Sequence, residues 1–365
     1  MERPIEGEQG KQRAPASRVS RIDAFRLFCM IGIIFAHAYF FGGAAHESRL
    51  ERLAEVVGTQ GVRFTMPFFF ATAAYFYFPK IRRLPVDDFS AAKAYSRRLL
   101  EIFVFWSAFY GIEQPLVAKD RFLELHGLGD CARAIGDYWA SLARDPLTLL
   151  FEGTAPHLWF LSALLASLWL FTILRRYGVS DVQFVAVASC LYIVGVLGGF
   201  YAKTPIGLNL HFETRDGPFF GALFFGIGAW FARRREVPSW SWTFILLVIL
   251  VGVGLSAGEL GFLHREYGFN MRDADYVFGT APYGIGMMLA AYKPGETALE
   301  RFMGRLGRST LGIYVSHMFF VDLLRPLRVF VPALVWPVLL TGLVLVASLC
   351  FTWALEKTPL NRFIA

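Results

Sequence analysis

Apolar residues recur along the chain in long runs, separated by short polar clusters. A helix needs about 20 apolar residues to cross the roughly 30 Å hydrocarbon core of a bilayer. Segments near 22–43, 61–79, 99–118, 157–174, 182–202, 217–232, 239–258, 275–292, 309–327 and 331–355 have this character, those near 61–79 and 217–232 being short. The pattern predicts an all-α, polytopic helical membrane protein with about ten transmembrane helices. Residues 1–18 are polar and include Pro4 and Pro15, so they read as a cytoplasmic tail before a single transmembrane domain, 19–365. No apolar run precedes Ile22, and the first span is expected to act as a retained signal-anchor.

Charge supplies the orientation. With the N-terminus inside and the spans alternating, the inner segments collect Lys80, Arg82 and Arg83, then Arg175 and Arg176, Arg233 to Arg235, and Arg301, Arg305 and Arg308. Most of the 36 Lys and Arg residues fall on that side, and acidic residues favour the other. This is the positive-inside pattern. It predicts a multi-pass protein of the inner membrane with both termini cytoplasmic. Composition agrees: 18% of residues are charged, against roughly 25% in a soluble domain. The net charge of +7 therefore reports topology in a lipid bilayer and not a nucleic-acid partner. Cys29, Cys131, Cys190 and Cys350 are far apart and form no Cys-x-x-Cys pair, which argues against a disulfide framework or a zinc site. No metal is expected. The longest outer segment, 114–156, contains a predicted amphipathic interfacial helix at 130–144. Gly217 with Gly221, and Ala222 with Gly226, are small-xxx-small pairs suited to close helix packing.

The first span carries the sharpest chemistry. Asp23, Arg26 and His37 interrupt an otherwise apolar helix. Eleven residues separate Arg26 from His37, which puts them on one face about 16 Å apart along the axis. Asp23 and Arg26 are three apart and can pair. Ionisable groups inside a membrane are costly, so they face a polar interior or mark a site. The plain alternatives are snorkelling for Arg26 and an interhelical hydrogen bond for His37.

Arg26-x10-His37, preceded by Asp23, resembles the opening motif of the acyltransferase-3 family. Other matches follow in order. Pro67-Phe-Phe-Phe-Ala-Thr-Ala-Ala resembles an aromatic stretch of the second span. Lys93-Ala-Tyr-Ser-Arg97-Arg98 resembles the basic approach to the third. His157-Leu-Trp159-Phe160-Leu resembles the start of the fourth. Ser309 to Tyr314 and His317 resemble a late Gly-x-Ser…Tyr-x-x-His segment, and Glu356-Lys-Thr-Pro359 a closing Glu-x-x-Pro. Two positions depart from the family pattern. Its Ser-Gly falls on Ala73-Ala74, and the second Arg of its Arg-x-x-Arg falls on Glu101 if Arg98 is the first.

The resemblance implies an O-acyltransferase with no bound cofactor, using acetyl-CoA or another acyl-CoA as co-substrate and a saccharide or glycolipid as acceptor. A hydroxyl needs a base as it attacks a thioester, and histidine titrates nearest neutral pH. His37 fits as base or acyl-accepting centre. Arg26 is a candidate for stabilising the oxyanion, with Asp23 orienting it. Arg82, Arg83, Arg97 and Arg98 are candidates for the CoA phosphates, or else plain topology charges. His157, Trp159, Tyr314 and His317 are candidate cavity or substrate contacts, with the aromatic belt as the alternative for Trp159. A transporter or flippase for a saccharide or lipid-linked precursor is the competing reading. A structural subunit of an export complex is the third, and it needs no Asp23–Arg26–His37 set.

Overall fold

The computed structural model describes residues 20–40, 49–81, 88–117, 127–234, 240–293, 295 and 297–364. Among them are fourteen α-helices and no strand. In chain order these are α1 (Ser20–Phe40), α2 (Arg49–Gly61), α3 (Thr65–Ile81), α4 (Asp88–Val117), α5 (Leu128–Arg144), α6 (Pro146–Phe151) and α7 (Trp159–Arg176). They continue with α8 (Asp181–Gly198), α9 (Pro218–Arg233), α10 (Trp242–Tyr267), α11 (Thr280–Tyr292), α12 (Ala298–Leu306), α13 (Thr310–Leu324) and α14 (Trp336–Glu356).

Each of the ten apolar segments overlaps one helix, α1, α3, α4, α7, α8, α9, α10, α11, α13 or α14, while residues 41–43 and 118 of the first and third lie outside the described residues. Five of these are long and apolar enough to cross a membrane: α1, α7, α8, α10 and α14. The others differ for physical reasons. α4 has 30 residues but carries Lys93, Arg97, Arg98, Glu101 and Glu113. α3, α9, α11 and α13 have 17, 16, 13 and 15 residues. At 1.5 Å per residue, 13 residues reach only about 20 Å. Such short helices suit positions walled by other helices, where irregular backbone at their ends is shielded by protein. α9 illustrates this, with most of its side chains buried, Phe220 through Gly226 among them.

Local signals set the ends. Ser180 and Gln183 form a capping box at the start of α8, and Thr297 and Glu300 form one at α12. Pro218 and Pro337 open α9 and α14, where a missing N–H costs nothing. Gly268, at φ 69°, ends α10 in the left-handed conformation that glycine adopts without strain. That end lies nine residues beyond the apolar segment near 239–258. The extension carries Glu259, whose carboxylate accepts from Tyr201 Oη at 2.9 Å, Phe278 N at 3.2 Å and Gly279 N at 2.8 Å. Glu259 thus satisfies free amides at the start of α11.

α1 lies at the centre, against α2, α3, α11, α12, α13 and α14. Arg21 fixes its basic end, donating to Glu300 at 2.7 Å and to the Lys293 carbonyl at 2.9 Å. α10 and α14 present Leu246, Leu247, Leu250, Val338 and Val346 outward, a face suited to lipid. α5 buries no side chain, as an interfacial amphipathic helix should. Gly221 faces Phe70 and Ser167, and Gly226 faces Phe184, so these small residues do admit neighbouring helices.

Candidate active site

Three imidazoles from distant parts of the chain meet. His37 comes from the last turns of α1, His317 from the middle of α13, and His157 from the turn before α7. The ring centroids of His37 and His317 are 5.2 Å apart, and those of His157 and His317 are 5.1 Å apart. Tyr110 of α4 packs on His157 at 4.9 Å. Tyr314 donates its hydroxyl hydrogen to the His157 carbonyl, which fixes the turn against α13. His317 is fully buried and His157 is 2% exposed. Among the described residues, neither ring nitrogen of His157 has a hydrogen-bond partner, and neither does Nε2 of His317. Leaving buried polar groups unpaired costs about 1–3 kcal/mol each. Such a concentration of unpaired groups in one place calls for an explanation beyond packing.

His37, His157, Trp159 and Tyr314 line a cavity of about 310 Å³. His317 is not on its wall but behind the rings of His37 and His157. The opposite wall is charged. Arg215 pairs with Asp275 at 3.1 Å, Asp216 at 3.2 Å and Glu152 at 3.5 Å, and lies over the Trp159 ring. Arg63 donates to the carbonyls of Arg272 and Asp275, both at 3.2 Å. Arg272 pairs with Glu55 at 2.6 Å. These bonds tie the α2–α3 turn, the Glu152 segment, the Thr214–Asp216 turn and the Met271–Asp273 turn over His37. Asp273, Asp275 and Tyr276 also line a larger vestibule of about 1430 Å³, so the two spaces adjoin.

Asp216 sits outside the spans, in the turn before α9, and is 6% exposed. Burial pushes its carboxyl up to about 7 against the attraction of Arg215, and Glu152 adds to the rise. An acid whose folded pKa exceeds its unfolded value of 3.8 loses folding stability as pH rises from about 4 to about 7. The wild-type protein is expected to lose on the order of 2–4 kcal/mol over that window through this group. Asp216→Asn abolishes the titration, so its melting temperature in detergent should fall less over the same range. Parallel curves for the two proteins would remove Asp216 as the source.

The other predicted residues lie elsewhere. Arg26 pairs with Asp23 at 3.0 Å near the opposite end of α1, with Asp23 1% exposed and Arg26 over the Phe76 ring. The structure therefore joins Arg26 to Asp23 but not to His37, three helical turns away. Tyr95 lies within electrostatic reach of both Arg26 and Arg98. Arg97 is exposed and pairs with Glu101 at 2.9 Å. Both line a groove of about 830 Å³ with Lys93, Leu100, Val104 and Phe105, and Arg362 lies over Phe363, which stacks on Phe105. Arg82 and Arg83 lie outside the described residues.

Sequence reasoning missed Arg63, Arg215, Arg272 and Asp275. One signal was available: they are strong charges on the side that the positive-inside pattern leaves poor in cations. The contacts that bring them together, Arg215 with Asp275 and Arg63 with the Asp275 carbonyl, span 60 and 212 residues, beyond the reach of any spacing rule.

A family model described as an acyltransferase domain matches residues 19–357. An amino-acid racemase of Enterococcus faecalis is 24% identical over 333 residues, which are 87% of this chain and 43% of the racemase. The chain thus spans less than half the length of that relative. No solved structure matches.

Proposed function

The chain belongs to the acyltransferase-3 family, and from that premise we propose that it moves an acyl group, acetyl in the simplest case, from acyl-CoA to a saccharide or glycolipid hydroxyl. One observation carries this reading: His37 lies at the wall of a cavity next to a large vestibule, while the same helix carries Arg26 toward the basic end of the bundle. A single helix thus links a place suited to the acceptor with a place suited to the donor.

On the donor side, Lys93 and Arg97 head a groove whose wall turns apolar within two turns of α4, with Arg362 over Phe363 beside Phe105. Guanidinium groups match phosphate geometry, and an apolar wall suits a pantetheine arm. Arg98 and Arg26 flank Tyr95 nearby. Arg82 and Arg83 belong to the same basic segment of the sequence and complete the set of donor candidates. On the acceptor side, the vestibule offers Phe212, Phe219 and Tyr276 for stacking and several carboxylates for accepting hydroxyl hydrogens.

In the proposed reaction His37 takes the hydroxyl proton as the oxygen attacks the thioester carbonyl. A C–O bond forms, the C–S bond breaks, and the departing thiolate takes the proton. Arg63, Arg215 and Arg272 line the cavity with His37 and are cations placed to favour a developing oxyanion. The reading is tested by feeding acetyl-CoA to membranes that hold the protein and candidate glycans. Thiol release together with labelled ester on the glycan supports it. No turnover with any candidate glycan moves the assignment to transport of a saccharide or lipid-linked precursor.

Glu101 gives a second test. Its carboxylate occupies Arg97 inside the groove, where a phosphate would otherwise bind. Glu101→Arg removes that competition and adds a cation. The KM for acetyl-CoA should fall by about three- to tenfold, equivalent to roughly 0.7–1.4 kcal/mol, with kcat little changed. A KM that rises or stays fixed would place the CoA phosphates elsewhere.

A further inference from the structure

His317 is buried directly behind the residue assigned as base, yet does not touch the cavity where an acceptor would sit. Its Nδ1 lies 2.5 Å from the carbonyl oxygen of Tyr314, one turn earlier on α13. A carbonyl oxygen only accepts, so Nδ1 must carry hydrogen. In the uncharged ring, Nε2 is then a bare lone pair. It has no hydrogen-bond partner among the described residues. Ring nitrogens stand roughly 1.1 Å from an imidazole centroid, so with the His37 and His317 centroids 5.2 Å apart the two rings reach an N–H···N distance of about 3 Å when a nitrogen of each is turned toward the other; as the rings stand, that bond is not made.

Resting on the acyl-transfer reading of His37, we infer that His317 is its positioning residue. With a small turn of either ring, Nε2 of His317 accepts the N–H of His37, and the other nitrogen of His37 then presents its lone pair to the cavity. The chain Tyr314 carbonyl, His317, His37 has the logic of an orienting group, a relay and a base. A histidine in this place supplies direction without a carboxylate's charge. His157 closes the other face of His317 and keeps water from competing for Nε2.

The test reads the tautomer and the rate separately. Histidine nitrogens labelled with ¹⁵N report, in detergent-solubilised protein, which nitrogen of His37 carries hydrogen. Wild type should show one tautomer, His317→Ala a mixture of both. His317→Gln, whose amide oxygen accepts, should restore the single form. In acetyl transfer, His317→Ala should lower kcat by about 100-fold with KM for acetyl-CoA unchanged, and His317→Gln should recover at least tenfold of that. Both variants must run as monodisperse protein, and the glutamine variant serves if the alanine variant does not. An unchanged His37 tautomer in His317→Ala, or in His317→Leu if needed, overturns the inference. So does a wild type with mixed tautomers. A tautomer that responds while His37→Ala keeps full turnover leaves the pairing standing and removes His37 as base.

Discussion

His37→Ala is expected to lower acetyl transfer by about 10³-fold, within the range of 10²–10⁴ that a positioned base contributes. The size of the effect follows from the surroundings. His157 and His317, the other two imidazoles of the cluster, cannot replace it. His317 is walled off from the cavity, and its Nδ1 is committed to the Tyr314 carbonyl. His157 does face the cavity, but its ring is wedged between Tyr110 and His317. Arg63 and Arg215 stay charged and engaged with carboxylates or carbonyls, so they orient charge but accept no proton. The residual rate should therefore reflect binding and the guanidinium groups of the cavity alone. Alanine removes a ring at the end of α1 without disturbing the Arg21–Glu300 anchor at its start, so insertion and solubilised yield should hold. The measurement is thiol release and labelled ester in the same membranes, normalised to inserted protein. Equal turnover by both proteins would keep the enzyme and take His37 out of its centre.

Much of this architecture is legible in the order of residues along the chain. Apolar runs mark helices because lipid and a packed bundle both demand self-satisfied backbone. The Arg26–His37 spacing places both on one face because α1 is unbroken over 21 residues. The meeting of His37 with His157 and His317 is different in kind. It depends on α1, α13 and the turn before α7 packing together, and no periodicity encodes that. The same holds for Arg215, whose partners Glu152, Asp216 and Asp275 come from three segments. Span length is also set by neighbours: α11 needs only 13 residues because Glu259 of α10 supplies the hydrogen bonds at its start. Small residues show the limit most clearly. A four-residue spacing marks Gly217 with Gly221, Ala222 with Gly226, and also Gly228 with Ala232, yet spacing does not say that Gly228 makes the closest approach to another backbone along α9.

Gly228→Val is accordingly expected to destabilise the bundle more than any exchange at Gly217, Gly221, Ala222 or Gly226. A β-carbon at Gly228 would overlap the carbonyl oxygen of Ala71 and sit 2.7 Å from its carbonyl carbon. Both atoms belong to the backbone of α3, so no rotamer change relieves the clash. α9 would have to move off α3, its most extensive partner in the bundle. Overpacking costs about 1–3 kcal/mol even where side chains can shift, and here the upper end applies. The damage reaches the site, because the Thr214–Asp216 turn leads directly into α9 and carries Arg215. A shifted α9 pulls Arg215 away from Asp275 and opens the charged wall facing His37. The variant should melt several degrees lower in detergent and lose acyl transfer roughly in step. Gly254→Val is the control: it lies on the exposed face of α10, where an added β-carbon meets nothing within 4 Å, and it should stay within about 0.5 kcal/mol of wild type. If Gly228→Val melts with the control, α3 and α9 are not in backbone contact, and the placement of Arg215 over His37 falls with them.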